Sequence, residues 1–262
     1  MLPSEKRPLG FIGTGTITEA IVTGIVLRGE PVPAIVVSPR SAKTAARLAG
    51  LSPQVSVAPD NQAVADTADM LFLAVRPNVA EEVVRALRFR PGQQVVSLIA
   101  TVDHSTLASW IDVPVNIVRA VPLPFVATRS GVTTVFPPDP AVEALFSTLG
   151  TAVACSTTEE FDVFAAASAL MGSYFGIMDH VVGWMRINGL TAESARTYLA
   201  QHFFSLSTVA RDNPSASLES LRHEYSTKGG LNEQMFAEFG KGGGLDAVSG
   251  ALDAVLTRIR TR

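Results

Sequence analysis

The N-terminal half of the chain alternates short apolar runs with segments whose apolar residues recur every three or four positions. The apolar runs predict strands at PLGFIG, AIVVSP, MLFLAVRP, QQVVSLIA, VNIVRAVP and GVTTVFP. The segments TEAIVTGIVLRG, SAKTAARLAG and AEEVVRAL lie between them and have a helical period, with Gly50 as a helix C-cap. MLFLAVRP does not alternate, which indicates a strand buried on both faces. The order of elements predicts a doubly wound α/β domain built on a parallel sheet.

The pattern changes after residue 157. From residue 158 onwards strand signals are few, and long segments at 159–189, 191–213 and 245–261 have a helical period. We therefore predict two domains, 1–157 and 158–262, of which the second is all-helical. Its helices are crowded with Phe, Leu, Val and Trp, and such an apolar excess is often covered by another subunit. The pattern predicts a homodimer built by the second domain.

Composition narrows the class of protein. The chain has 262 residues, is 47% hydrophobic and has a formal net charge of -3, which is typical of a soluble globular protein and argues against a nucleic-acid surface. No uninterrupted apolar run of about eighteen residues and no signal-peptide pattern is found. The single cysteine, Cys155, fits a reducing compartment, so we predict a cytoplasmic protein. The four histidines are scattered singly, which predicts no metal site.

Two glycines follow the first predicted strand at the start of a helix. Gly13 and Gly15 match the first two glycines of G-x-G-x-x-G, and the third position is Thr18. The first glycine permits a tight turn, the second lets a pyrophosphate approach the backbone, and the helix N-terminus offers N–H groups. Because the motif lies between a strand and a helix, we favour a Rossmann-like nucleotide site over a merely structural turn.

The end of the second predicted strand indicates which dinucleotide binds. An NAD site usually has an acidic residue there, whereas this chain has Ser38, Arg40, Ser41 and Lys43. Arg and hydroxyl groups bind a 2′-phosphate well, which favours NADP over NAD. The alternative is that these residues only begin a solvated helix, with Ser41 as its N-cap.

Several motifs in order carry a family resemblance. They are GFIGTGTITEAI, DNQAVADTADMLFLAVRPNV, VVSLIATV, NIVRAVP followed by Gly131, and STKGGLN. In this combination the chain resembles the pyrroline-5-carboxylate reductases over nearly its whole length. The resemblance implies an NADPH-dependent reductase of a small cyclic imine carboxylate in proline biosynthesis. It also implies a Rossmann domain, a helical dimerisation domain and an active site at the dimer interface.

The resemblance also implies a set of site residues. Predicted cofactor contacts, besides Ser41, are Gly13, Thr14, Gly15, Thr16, Ile17, Ser38, Arg40, Asn61, Ala74, Val75, Arg76 and Pro77. The backbone of Val121 and Pro122 is expected near the nicotinamide. A loop holding the substrate is expected at Ser226, Lys228, Gly229, Gly230, Leu231 and Asn232.

The chain departs from the family pattern in this loop. Leu231 and Asn232 stand where the family has two threonines that serve the substrate's carboxylate and ring nitrogen. An amide can still donate a hydrogen bond, so Asn232 is a candidate partner for the imine. The N–H groups of Gly229 and Gly230 are candidates to cradle a carboxylate, and Lys228 is a candidate to pair with it.

Two further side chains are candidates for acid–base chemistry. A ketone or thioimine substrate would need an acid, which His223 or Tyr174 could supply, although a solvated or interface position is the simpler interpretation of each. Three alternatives to proline synthesis stay open: another imine or carbonyl acceptor, a deazaflavin-linked NADP oxidoreductase, and a non-catalytic NADP-binding paralogue.

Overall fold

The structure is a computed structural model that describes residues 8–29, 31–99 and 101–261. The chain divides into two compact units, Met1–Ala165 (unit 1) and Ala166–Thr261 (unit 2). The division falls within helix α7, Thr158–Ala167, whereas the sequence pattern placed the domain boundary at the first residue of that helix.

Unit 1 is built on one eight-stranded sheet. Its strands are β1 (Leu9–Ile12), β2 (Ile35–Val37), β3 (Val55–Val57), β4 (Met70–Leu73), β5 (Gln94–Ser97), β6 (Asn116–Pro122), β7 (Gly131–Phe136) and β8 (Gly150–Ala154). Its helices are α1 (Thr16–Leu27), α2 (Ala42–Ala49), α3 (Asn61–Thr67), α4 (Pro77–Arg85), α5 (His104–Ser109), α6 (Pro140–Ser147) and the start of α7. A 3-10 helix, Pro124–Thr128, joins β6 to β7.

The strand order is β3-β2-β1-β4-β5-β6-β7-β8. The pairs from β3 to β6 are parallel, as the alternating pattern predicted, and β7 is parallel to β8. The predicted parallel pattern was wrong only for one pair, because β6 and β7 pair antiparallel. Only a short 3-10 turn joins these two strands, and without a crossover helix the chain returns in the opposite direction.

The core of unit 1 lies in two clusters, one on each face of the sheet. Phe11 and Phe72 are register partners in β1 and β4, and their rings stack with centroids 4.5 Å apart. They belong to the cluster beneath α1, while Leu71 and Leu73 belong to the cluster on the other face. Because successive residues of a strand point to opposite faces, the uninterrupted apolar run of β4 supplies both cores.

Unit 2 consists of helices in its described residues. They are α8 (Leu170–Ile187), α9 (Ala192–Asp212), α10 (Leu218–Glu224), α11 (Leu231–Lys241) and α12 (Gly244–Arg260), which follow the end of α7. The long helical stretch predicted at 159–189 is interrupted between α7 and α8. The all-helical pattern is otherwise as predicted, except that α11 begins inside the segment expected to be a loop.

Unit 2 leaves most of its apolar side chains exposed. Among its described residues only Ala166, Ala195 and Leu199 are buried. Trp184 is 62% exposed and Ile187 is 87% exposed. A helical unit of this size therefore has almost no core of its own within one chain.

The stretch 158–187, which joins α7 and α8, is long and apolar enough to cross a membrane by length and composition alone, with a mean hydropathy of 1.4 over an 18-residue window. The sequence analysis found no such segment, because charged residues interrupt every apolar run there. A single stretch of this kind is weak evidence for a membrane span, since helices that pack inside soluble proteins pass the same test.

Candidate active site

Three loops of unit 1 converge at the carboxyl ends of β1, β2 and β4. Gly13 has a φ of 100°, and a Cβ at this position would overlap the backbone carbonyl of Ala74. The Gly13 N–H donates to the Ser38 hydroxyl at 2.9 Å, and the Thr18 hydroxyl donates to the Gly13 carbonyl at 2.6 Å. Only glycine fits this left-handed, crowded position. The turn predicted at Gly13 is therefore held by two hydrogen bonds and by close packing against Ala74, and we call it the glycine junction.

Gly15 lies in a different environment, two residues further on. It is the N-cap of α1, and a Cβ there would meet no atom within 4 Å. As a glycine, Gly15 offers no side chain to cap the first turn of α1. The N–H groups of a helix N-terminus attract phosphate, so this open space suits a pyrophosphate. The Thr14 hydroxyl beside it is buried without a hydrogen-bond partner among the described residues, which a bound group or water would satisfy.

The remaining predicted cofactor residues lie around the same edge of the sheet. Arg76 is the N-cap of α4, Pro77 is its first residue, and Asn61 is the first residue of α3. Ala74 and Val75 are half-buried in the loop after β4, and Ala74 N donates to Ile12 O at 2.8 Å. Thr16 is exposed and Ile17 half-buried in the first turn of α1. These residues are compatible with a dinucleotide laid across the edge.

The residues expected at the 2′-phosphate divide into two kinds. Ser38 is fully buried, and its oxygen accepts a hydrogen bond from the glycine turn. Arg40, Ser41 and Lys43 are exposed at the start of α2. Ser41 is the N-cap of α2, as the alternative interpretation held, but its hydroxyl makes no capping hydrogen bond. Its side chain therefore remains consistent with a ligand contact, while Ser38 supports the turn.

Val121 and Pro122 end β6 at the carboxyl side of the sheet. Their register partners in β7 are Thr134 and Thr133. The hydroxyls of both threonines are buried without a hydrogen-bond partner among the described residues. Buried hydroxyls without a partner are uncommon in proteins. The two β7 threonines therefore place polar groups beside the end of β6 in an otherwise apolar sheet.

The glycine loop of unit 2, residues 226–232, has N–H groups that form hydrogen bonds within the loop and with the first turn of α11. The Gly229 N–H donates to the Glu233 carboxylate at 2.6 Å, and the Gly230 N–H donates to Thr227 O at 2.7 Å. The two N–H groups expected to cradle a carboxylate therefore already donate within the chain. Leu231 lies in the first turn of α11 rather than in a loop, and its side chain is exposed.

The polar candidates of unit 2 are arranged around that helix start. The Asn232 amide donates to Tyr225 O at 2.6 Å, so one of its two amide hydrogens is engaged. Ser226 N donates to His223 O at 3.1 Å, and the Lys228 side chain is exposed. The roles assigned to Asn232, Ser226 and Lys228 stay predictions.

His223 and Tyr174 lie in environments of opposite character. His223 is exposed, with Nε2 3.0 Å from Nη2 of Arg222 and 3.9 Å from a Glu219 carboxylate oxygen. The Tyr174 ring packs between aromatic rings, with centroids 5.3 Å from Phe175 and 5.5 Å from Phe203. Neither contact is specific to acid catalysis, and the proposed acid role of each stays a prediction.

Sequence reasoning did not single out Arg119, which lies in the middle of β6. Its side chain is 4% exposed, and its guanidinium carbon lies 4.5 Å from the centroid of the Phe161 ring. Burial lowers the pKa of Arg119, and the negative charges of Asp162 and Asp103 oppose that effect. The sequence contains a signal for this residue, because Arg119 is the only charged residue in the apolar run NIVRAVP.

The doubly wound sheet and the glycine junction define a class of domain, the dinucleotide-binding domain that nicotinamide-dependent oxidoreductases contain. Residues 8–101 match the family model described as NADP oxidoreductase, coenzyme F420-dependent. This match covers the part of unit 1 that contains the glycine junction. The alternative of a deazaflavin-linked oxidoreductase predicts a similar domain there, so this match alone does not separate the two.

Comparisons over the full chain point to a narrower group. The pyrroline-5-carboxylate reductase of Vibrio alginolyticus is 27% identical over 97% of both chains. A pyrroline-5-carboxylate reductase structure from Coxiella burnetii matches with a TM-score of 0.85 and 24% identity over 98% of both chains. A Plasmodium falciparum pyrroline carboxylate reductase with NADP bound matches with a TM-score of 0.82 and 16% identity over 98% of both chains. The resemblance to the pyrroline-5-carboxylate reductases is therefore confirmed in sequence and in fold.

Proposed function

We propose that this protein is an NADPH-dependent reductase of a small cyclic imine carboxylate, with pyrroline-5-carboxylate as the first candidate and proline biosynthesis as its setting. The observation that carries the proposal is full-length similarity, at 97% coverage of both chains, to a relative named for that reaction. The glycine junction of unit 1 supports it, because Gly15 leaves open the space that a dinucleotide needs.

NADP is the proposed cofactor, with NAD the less favoured alternative. Arg40, Ser41 and Lys43 are exposed where a 2′-phosphate would lie, and an acidic residue that would repel it is missing from the stretch VVSPRSAK. When bound, the cofactor supplies a hydride to the imine carbon. The N-terminus of α1 would hold the pyrophosphate, between the loops after β1 and β4.

The protein's own contribution to such a reduction is mainly orientation. A protonated imine is already electrophilic, so the site must align it with the nicotinamide and exclude water. Asn232 is proposed as a hydrogen-bond donor to the substrate, with Val121 and Pro122 beside the nicotinamide. His223 and Tyr174 would matter only for an acceptor that needs a proton donor.

A homodimer through unit 2 is part of the proposal. Trp184, Tyr198 and Phe204 are each more than half exposed on helices with almost no core of their own. A second copy of the same chain would bury these faces, as in obligate dimers whose interface resembles a divided core. We also propose a cytoplasmic location, consistent with a single cysteine.

The test is oxidation of NADPH with a panel of cyclic imines, beginning with pyrroline-5-carboxylate and including its six-membered and 2-carboxylate relatives. Fast turnover of pyrroline-5-carboxylate supports the proposal. Turnover only of another imine would move the assignment to that substrate. NADPH binding without turnover of any member would point to a different acceptor or to a non-catalytic regulator.

A second candidate, reduction of a different imine or carbonyl acceptor, rests on the glycine loop of unit 2. The Leu231 side chain offers no hydrogen bond, and both glycine N–H groups donate within the chain. A substrate recognised elsewhere than in this loop would fit that arrangement. The imine panel separates the two candidates directly.

A further inference from the structure

The third position of the glycine motif carries a threonine with an unusual hydrogen bond. Thr18 is fully buried in the first turn of α1, and its hydroxyl donates to the Gly13 carbonyl, five residues back, at 2.6 Å. A threonine hydroxyl in a helix usually donates to a carbonyl three or four residues back in the same helix, as Thr67 does to Ala63 O at 2.8 Å in α3. The Thr18 bond instead leaves the helix and closes the loop that joins β1 to α1.

Two hydroxyl side chains hold the main chain of Gly13, one at its N–H and one at its carbonyl. The N–H donates to the Ser38 hydroxyl at 2.9 Å, and the carbonyl accepts from Thr18. Ser38 and Thr18 are both fully buried, so water does not compete for these bonds. The dinucleotide motif usually has glycine or alanine at the third position, and neither carries a hydroxyl. Thr18 therefore adds a bond that the usual residues could not make.

The loop that Thr18 closes contains N–H groups at the open start of α1. Gly15 and Thr16 are exposed, and neither of their N–H groups has an acceptor among the described residues. Free N–H groups at a helix N-terminus bind a phosphate when they converge on it. Their directions depend on the backbone dihedral angles between Gly13 and Thr18. A hydrogen bond across this segment restricts those angles before any ligand arrives.

We propose that Thr18 is a positioning residue for the dinucleotide, because its hydroxyl fixes the Gly15 and Thr16 N–H groups in the orientation that receives the pyrophosphate. The inference rests on the proposed binding of NADP and deepens it. Thr18 is fully buried and acts through the Gly13 carbonyl rather than by touching the cofactor. A loop that is ordered in advance loses less entropy on binding, so removing the hydroxyl should raise the dissociation constant.

The test compares Thr18→Ala with Thr18→Ser, because both variants lack the methyl group and differ only in the hydroxyl. Thr18→Ala should bind NADPH about 10-fold more weakly than Thr18→Ser in a fluorescence titration, since the loop is then ordered only on binding. Thr18→Ser keeps the donor and should stay within about threefold of the unmodified protein. A purely structural role would lower the melting temperature of Thr18→Ala and leave the two dissociation constants equal.

The matched control is the same pair of substitutions at Thr67. Its hydroxyl also donates to a main-chain carbonyl, but Thr67 is the last residue of α3 and lies at the edge of the sheet where β4 begins, opposite the glycine junction. Thr67→Ala and Thr67→Ser should bind NADPH equally well. A difference between them as large as that between the Thr18 variants would overturn the inference, because loss of any such bond would then weaken binding.

Hydrogen exchange followed by NMR supplies a measurement on the unmodified protein. Saturating NADPH should slow exchange of the Gly15 and Thr16 amides by about 10-fold or more, because both N–H groups gain an acceptor. Thr18→Ser should show the same protection, and Thr18→Ala should show less even when it is saturated with NADPH. Unchanged exchange of both amides in the unmodified protein would overturn the inference, whether or not Thr18→Ala folds.

The outcomes separate this inference from the proposed function. If the unmodified protein binds no NADPH, the proposed function fails, and the inference with it. If it binds NADPH and the two Thr18 variants bind it equally well, NADP binding stands and the positioning role of Thr18 is overturned. Weaker binding by Thr18→Ala together with reduced protection of the two amides supports the role.

Discussion

The two units of the chain bury their apolar residues in opposite ways. Unit 1 has a fully buried β1 and β4, with clusters on both faces of the sheet. Unit 2 has five helices beyond α7, and only Ala166, Ala195 and Leu199 are buried among its described residues. The difference shows that unit 1 has a core within one chain, whereas the apolar helical faces of unit 2 are left exposed within one chain.

This contrast also separates two kinds of site. The dinucleotide residues lie on an edge where the Gly13 N–H donates to Ser38 and the Gly13 backbone lies close to that of Ala74. The predicted substrate residues of unit 2 lie at an exposed helix start whose N–H groups bond to neighbouring residues. Rigid elements position a cofactor more accurately than exposed loops do. We therefore expect changes at the glycine junction of unit 1 to affect cofactor binding, and charges placed on the exposed helical faces of unit 2 to affect assembly.

The largest effect is expected from Gly13→Ala. A side chain at a φ of 100° that overlaps Ala74 should destabilise unit 1 by at least about 2 kcal/mol and abolish measurable NADPH binding. Gly15→Ala is the matched control for folding, because its φ of -87° suits alanine and the space is open. It should melt normally yet bind NADPH more weakly. Normal NADPH binding by Gly13→Ala would contradict the junction described above.

A charge on the exposed face of unit 2 should dissociate the proposed dimer. Trp184→Lys should weaken association by about 2 kcal/mol or more, roughly 30-fold in Kd, because large aromatic side chains dominate such interfaces. Leu27→Lys changes a similarly exposed residue of unit 1 and should leave association unaltered. Sedimentation velocity over a range of concentrations measures both. If the unmodified protein is a monomer, the proposed homodimer through unit 2 is wrong.

Cofactor choice provides a smaller test within unit 1. Arg40→Ala should weaken NADPH binding by about 10- to 100-fold and barely affect NADH, since only NADPH carries the 2′-phosphate. Arg47→Ala, on the same helix, removes an arginine that bonds to Glu19 at 2.7 Å and should not discriminate between the cofactors. Equal losses for both cofactors in Arg40→Ala would contradict the NADP assignment.

The smallest effect concerns the cap of α5 and its dependence on pH. The Thr106 N–H, the hydroxyls of Ser105 and Thr106 and the Arg119 charge hold the pKa of Asp103 below its ordinary 3.8. Its folded pKa is the lower one, so the stabilisation is present above pH 3.8 and is lost as the pH falls through the folded value. Asp103→Ala should cost about 1 kcal/mol near neutral pH. Asp103→Asn should keep most of the cap and lose this acid dependence, as followed by thermal unfolding at several pH values.

Much of unit 1 could be predicted from the chain's pattern. The uninterrupted run of β4 and the glycines after β1 are local signals, because strand burial and turn geometry depend on neighbouring residues. Strand β3 and helices α3, α5, α6 and α11 were not identified, and α11 begins inside the segment expected to be a loop. The direction of β7 was mispredicted, because pairing direction depends on how the connecting segment folds.

The sequence by itself determined the class of fold, the place of the dinucleotide and the family resemblance, because these depend on residue order and on local backbone requirements. Only the tertiary structure revealed that Ser38 supports the glycine turn, that the N–H groups of Gly229 and Gly230 have internal acceptors, and that Arg119 lines a cavity. The hydrogen bond between Gly13 and Ser38 joins residues 25 positions apart, and Arg119 meets Phe161 from a different element. Such contacts depend on how the elements pack in space, and no local pattern in the chain records them.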